Sequence, residues 1–111
     1  MTDDFWGEPI SRYSDQDALE DGTIVDISSL SLLFQGVLVN RMTRSLWEDL
    51  LPFAKAEAAL YEGSETRALA QIMATKIHMA QYVGGIWQLP PRIWLMENEV
   101  GGWTAMYPED Y

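Results

Sequence analysis

The strongest constraint on how this chain folds lies in its last quarter, where two β-prone runs, Arg92–Glu97 and Gly102–Tyr107, carry apolar residues at successive positions. Side chains alternate between the two faces of a strand. Ile93 and Leu95 therefore oppose Trp94 and Met96, and Trp103, Ala105 and Tyr107 oppose Met106. The intervening Asn98-Glu99-Val100-Gly101-Gly102 supplies turn residues, so the runs read as a C-terminal antiparallel β-hairpin. A hairpin apolar on both faces requires cover on both. Either it is packed between helices and other strands, or one face is a partner surface, a homodimer contact being one form.

The rest of the chain has the material for that cover. Of 111 residues, 48% are hydrophobic, with five Trp, five Tyr and six Met, and a chain of this length buries roughly 65% of the surface its unfolded form exposes. One α+β domain spanning residues 1–111 is expected, with about four helical segments packed against short strands. An irregular acidic arm, residues 1–9, carries Phe5, Trp6, Gly7 and Pro9, and Ile10–Tyr13 reads as a short strand. Ser14 is an N-cap with Asp17 in the capping-box position, and Gly22 ends the short helix that follows. Thr23–Ile27 is β-branched and reads as a strand; Ser28 or Ser29 then caps a helix through Phe34 that Gly36 stops, and Val37-Leu38-Val39 is extended or begins another short strand. Thr43 caps the next element, whose apolar stripe at 46, 47, 50, 51, 54, 58 and 61 has helical spacing. Pro52 interrupts it, which gives one kinked helix or two meeting near Leu51. Gly63 closes that element and Ser64 caps another, with a stripe from Leu69 to Val83 that Gly84-Gly85 terminates.

Charge is unevenly placed along this chain. The net charge is −10. Eight acids stand before Ile27 (Asp3, Asp4, Glu8, Asp15, Asp17, Glu20, Asp21 and Asp26) against the single base Arg12, while residues 27–61 are balanced. Such a field repels phosphate backbones and anionic lipid, so direct nucleic-acid binding is not expected. Arg41, Arg44 and Lys55 are the only candidates for a basic patch. With no cysteine, disulfides, thiolate metal sites and thiol nucleophiles are excluded. The start MTDDFWGEP lacks a basic n-region, and no apolar run approaches the ~18 residues that cross a bilayer, so a cytoplasmic protein without membrane contact is expected.

Catalytic constellations do not emerge. His78 is the only histidine and has no metal-ligand spacing around it; it reads as a structural or surface residue, and neither a metal nor a cofactor is expected. Asp17 and Asp21, at i and i+4, repel by a few tenths of a kcal/mol, roughly. Capping and solubility account for part of the acidic cluster. The surplus fits a surface that meets a basic protein, with Asp3, Asp4, Glu8, Asp15, Asp17, Glu20 and Asp21 as the charged contacts and Trp6, Trp94 and Trp103 as aromatic anchors.

Several segments together resemble an uncharacterised family of small bacterial, plasmid and phage proteins: Ile10, Tyr13-Ser14, Ala18-Leu19, Asp21-Gly22, Ile24-Val25-Asp26, Thr43-Arg44, Trp47-Glu48 and Ala105–Asp110. The family pattern is Ile-Ser-x-Tyr-Ser/Thr followed by Ala-Ile/Leu-x-Asp-Gly-x-Leu-Val-Asp, a Thr-Arg-x-x-Trp segment and a C-terminal strand near Ile-Met-Leu-Pro-x-Glu-Asp. The match covers the N-terminal half and part of the C-terminus; residues 62–100 match poorly, and Asp15 stands where the family has a basic residue. The resemblance implies association with mobile elements and no established activity.

The expected function is thus a small non-enzymatic accessory protein of a phage or plasmid that binds a host protein in the bacterial cytoplasm. Its most concrete form is an anti-defence inhibitor, of anti-CRISPR or anti-restriction type, whose carboxylates occupy a nucleic-acid-binding groove. A tyrosine-bearing strand, a capped helix and a Gly-containing return strand also resemble the opening of some ADP-ribosyltransferase-like folds. That resemblance implies the runner-up, a small enzyme or nucleotide-binding protein using Tyr13, Arg44 and the acids in a cleft. A homodimeric structural protein is the third reading.

Overall fold

Ser14 opens the first helix as its spacing predicts: in the computed structural model, which describes residues 14–61 and 63–111, its hydroxyl accepts from Asp17 N–H at 3.1 Å. The helix α1, Asp15–Asp21, ends at Gly22 with φ 82°. The arm 1–9 and the strand read at Ile10–Tyr13 lie outside the described residues. Two longer helices follow, α2 (Arg44–Tyr61) and α3 (Glu65–His78), and seven strands: β1 (Ile24–Asp26), β2 (Leu33–Phe34), β3 (Val37–Thr43), β4 (Gln81–Val83), β5 (Ile86–Leu89), β6 (Ile93–Glu97) and β7 (Trp103–Met106). Ser28–Leu30 and Pro108–Asp110 are short 3₁₀ turns. The class is α+β, and the C-terminal hairpin is β6–β7.

The strand order is β1-β3-β7-β6-β5-β4, with β2 pairing β3. All neighbours are antiparallel except β3 and β7. In β3 the register with β7 shifts between Val39 and Arg41. That bulge decides which way the strand faces. Val39 and Met42, three residues apart, both pair with core-facing residues of β7 and are fully buried, whereas strict alternation would have turned one of them out. Arg41 and Thr43 are left on the opposite face. The bulge also brings Asn40 against Gly102, where a Cβ would collide with the Asn40 carboxamide that Asn98 Nδ2 holds at 2.9 Å.

One face of the sheet packs on α2 and α3. Leu46, Leu50 and Ala54 of α2 and Leu69 and Met73 of α3 join Val39, Met42, Ile93, Leu95 and Ala105 in one apolar cluster. The other face, with Arg41, Thr104 and Met106, receives α1. Both faces of the β6–β7 hairpin therefore meet other elements of the chain, although Trp94 and Met96 stay half-buried.

Three local expectations give way to the structure. The helix read through Phe34 is a 3₁₀ turn and then β2, because Leu33 and Phe34 pair with Leu38 and Val37. Val37-Leu38-Val39 does begin a strand, one of its two readings, and that strand runs on through the bulge to Thr43. Of the two readings at Pro52 the structure has the single helix, α2, but Thr43, read as its cap, donates its hydroxyl to Asp110 instead. The last stripe stops at His78, and Gly84-Gly85 is the turn of a second hairpin, β4–β5.

Candidate functional site

The acids of α1 divide by what they touch. Asp15 faces the sheet and grips Arg41 in a bidentate pair, Nε to Oδ1 at 2.8 Å and Nη2 to Oδ2 at 3.1 Å. Arg41 also donates to the Asn40 carbonyl at 3.0 Å and stands 3.3 Å from Asp26. The Asp15 hydrogen bond raises the guanidinium's affinity for its proton, against the opposing effect of burial. Asp26 is held below the usual carboxylate range, first by the Ser28 hydroxyl, then by the Ser28 N–H, with a smaller contribution from the Arg41 charge. Arg41 is thereby consumed as a structural residue, and the basic patch it was a candidate for loses its most central member.

The remaining acids of α1 are exposed. Asp17 and Glu20 point to solvent, Glu20 accepting from the Gln16 side chain at 2.8 Å. Asp21 closes the helix end by accepting from Thr23 N–H at 3.0 Å and from its hydroxyl at 2.7 Å. Like charges on so short a helix are tolerated because each of these local bonds is made to a neutral donor.

Between α1 and the sheet lies a groove of about 650 Å³. Folding brings five carboxylates to its lining from three distant parts of the chain: Asp15, Asp21, Glu97, Glu99 and Asp110. Glu99, from the β6–β7 turn, accepts from Asp15 N–H at 2.8 Å and so satisfies a first-turn donor of α1. Asp110 accepts from Thr43 and Ser45 hydroxyls at 2.8 and 2.6 Å, tying the C-terminal turn to the start of α2. Arg44 is the cation of this lining; its Nε donates to the Gly22 carbonyl at 2.5 Å, and Nη1 is 3.9 Å from Glu48. Among the described residues no group of three His, Asp or Glu side chains is placed to hold a metal ion.

The expected contacts are thus partly gathered and partly dispersed. Asp17, Glu20 and Asp21 share α1, and Asp15 is turned inward. Asp3, Asp4, Glu8 and Trp6 lie outside the described residues, as does Tyr13. Trp94 pairs with Met106, which lines the groove, and keeps its indole half-exposed beside Tyr111, with ring centroids 6.0 Å apart. Trp103 is not a surface anchor: it is buried, its indole N–H donates to the Phe34 carbonyl at 3.1 Å, and its ring packs edge-on against Phe34. The part played by Glu97, Glu99 and Asp110 had no local signal, since their partners lie tens of residues away. His78 is exposed at the end of α3.

Set against protein-family models, curated proteins and solved structures, the chain finds no match in any of the three. No described helix is long and apolar enough to cross a membrane.

Proposed function

We propose that this chain is a non-enzymatic binding protein whose acidic groove, with the outer face of α1, receives a cationic element of a partner protein. The observation that carries the reading is the groove itself, lined by five carboxylates and one arginine already bonded to the Gly22 carbonyl. A phosphate or nucleotide there would meet the carboxylates, whereas a Lys- or Arg-bearing loop would exchange water for charge-assisted hydrogen bonds. Trp94, half-exposed next to Met106, supplies an aromatic contact at the groove's side. The partner fitting this chemistry is a protein with a basic nucleic-acid groove, which the carboxylates occupy in place of phosphates. Extended to the likeness of the N-terminal half to proteins of mobile elements, the reading becomes a phage or plasmid inhibitor of a host defence nuclease, acting in the bacterial cytoplasm.

The test begins with affinity capture from a bacterial lysate and then measures association kinetics with the captured protein. Asp17→Asn, Glu20→Gln, Asp21→Asn and Glu97→Gln together are expected to lower the association rate more than about tenfold, and duplex DNA or RNA should compete for the same surface. Asp15 is left intact so that its pairing with Arg41 is preserved. A partner without a basic surface, or a rate indifferent to the four substitutions, would defeat the reading.

A further inference from the structure

Cross-strand pairing gathers aromatic residues and one carboxylate on a single face of the sheet. Tyr82 pairs with Trp87, Trp87 with Leu95, and Glu97 with Trp103. Residues paired in this way share a face, and so do Leu95 and Glu97, two positions apart on β6. Leu95 and Trp103 belong to the apolar cluster under α2 and α3, so the shared face is the one those helices cover elsewhere. Here it holds a cavity of about 410 Å³, lined only from β4 to β7 and the β4–β5 turn. Gly85 stands at its margin, where a Cβ would meet nothing within 4 Å.

The rings of this lining are held before any ligand arrives. Phe34 of β2 stands edge-on to both indoles, its centroid 5.0 Å from that of Trp87 and 5.3 Å from that of Trp103, and the Trp103 N–H is already bonded to the Phe34 carbonyl. Tyr82 leans on Trp87 at 5.1 Å, with 52° between the ring planes, and is itself 62% exposed. Glu97 is the only charged residue of the lining. Among the described residues its carboxylate has no hydrogen-bond or ion-pair partner.

We infer that this cavity binds a methylated ammonium, the head group of choline or of a trimethylated lysine side chain. Aromatic faces attract a cation through their quadrupole, indoles most of all, and Glu97 supplies the opposite charge. An anion would meet that carboxylate and a chain of net charge −10. A primary ammonium brings three N–H donors, and in this lining only Glu97 and the Tyr82 hydroxyl are side-chain acceptors. A quaternary ammonium has no N–H to satisfy and presents methyl groups to the rings. Charge and lining thus select the same ligand. The inference does not depend on what occupies the acidic groove: Glu97 lines both cavities, whereas Tyr82 and Trp87 line this one and not the groove.

Nuclear magnetic resonance of the full chain reads the result while tetramethylammonium is added through the millimolar range. The indole N–H signals of Trp87 and Trp103 are expected to shift and saturate, and the ligand's methyl signal to move upfield under the rings. Methylammonium and the uncharged tert-butyl analogue of choline should each bind at least about fivefold more weakly. Glu97→Gln and Tyr82→Leu should each weaken binding about two- to fivefold, while Tyr82→Phe, which keeps the ring, leaves it unchanged and circular dichroism shows all three folded. Choline compared with a peptide carrying trimethyl-lysine tells a free cation from a protein side chain, the tighter binder being the occupant. Indoles that do not shift, equal binding of methylammonium or of the tert-butyl analogue, or an affinity indifferent to both Glu97→Gln and Tyr82→Leu would overturn the inference.

Discussion

The Tyr107 hydroxyl donates a 2.5 Å hydrogen bond to Asp49 Oδ2, and the two residues bring together the C-terminal strand's exit and the outer side of α2. Burial first, then the Asp49 bond, then the negative charges of Asp49, Asp110 and Glu109 push the phenol up to about 12. An unfolded tyrosine titrates near pH 10, roughly. The folded state thus holds this proton more tightly than the unfolded one. Stability from the site is complete below about pH 10 and is lost as pH rises toward about 12, because there the unfolded chain ionises first. Urea unfolding followed from pH 8 to 12 should show that decline, and Tyr107→Phe should flatten it. The phenylalanine variant should also lose about 0.5–1.5 kcal/mol at neutral pH, the worth of an ordinary hydrogen bond. An identical alkaline profile in the two proteins would mean that the folded chain does not hold the Tyr107 proton more tightly than the unfolded one.

Helix α1 is short for a helix, and the Asp15–Arg41 ion pair is one of the contacts that tie it to the sheet. Isolated helices below about 12 residues are marginal in water; α1 has 7, and among its described side chains only Ala18 is buried. The Asp15–Arg41 pair, with side chains 10% and 11% exposed, adds its docking to the Glu99 bond at Asp15 N–H and the Arg44 bond at the Gly22 carbonyl. Arg41→Met is expected to destabilise the protein by about 3 kcal/mol, since it leaves the Asp15 charge buried without a partner. Asp15→Asn combined with Arg41→Met should recover part of that loss. Denaturant titration of the cycle measures the coupling, and strictly additive single effects would show that the pair does not dock the helix. This pair is also where the sequence stops being legible. The cap at Ser14 and the stop at Gly22 are local chemistry and were readable, as were Ser64 and the two C-terminal strands. The Asp15–Arg41 contact spans 26 positions and depends on a bulge at Asn40 that no residue type announces. Gly84-Gly85 carries two meanings, helix stop and hairpin turn, and the helical spacing of Ile77, Ala80 and Val83 favours the first. Tertiary pairing of β4 with β5 chose the second. Glu97, Glu99 and Asp110 fell outside sequence reasoning for the same cause, as only the folded sheet brings them to the groove beside α1.

At the scale of the whole molecule, the acidic groove answers to salt. The chain carries a net charge of −10, and the five carboxylates of the groove come from α1, from β6 with its following turn and from the C-terminal turn. The screening length is about 30 Å at 0.01 M ionic strength and about 8 Å at 0.15 M. At low salt the whole charge of the chain therefore steers a basic partner toward the groove, whereas at about 0.15 M only the carboxylates next to the contact are felt. Binding of a basic partner should weaken across this range, mainly through slower association. Stopped-flow association measures that slope, and a rate indifferent to salt would mean that the groove's charges do not guide the encounter.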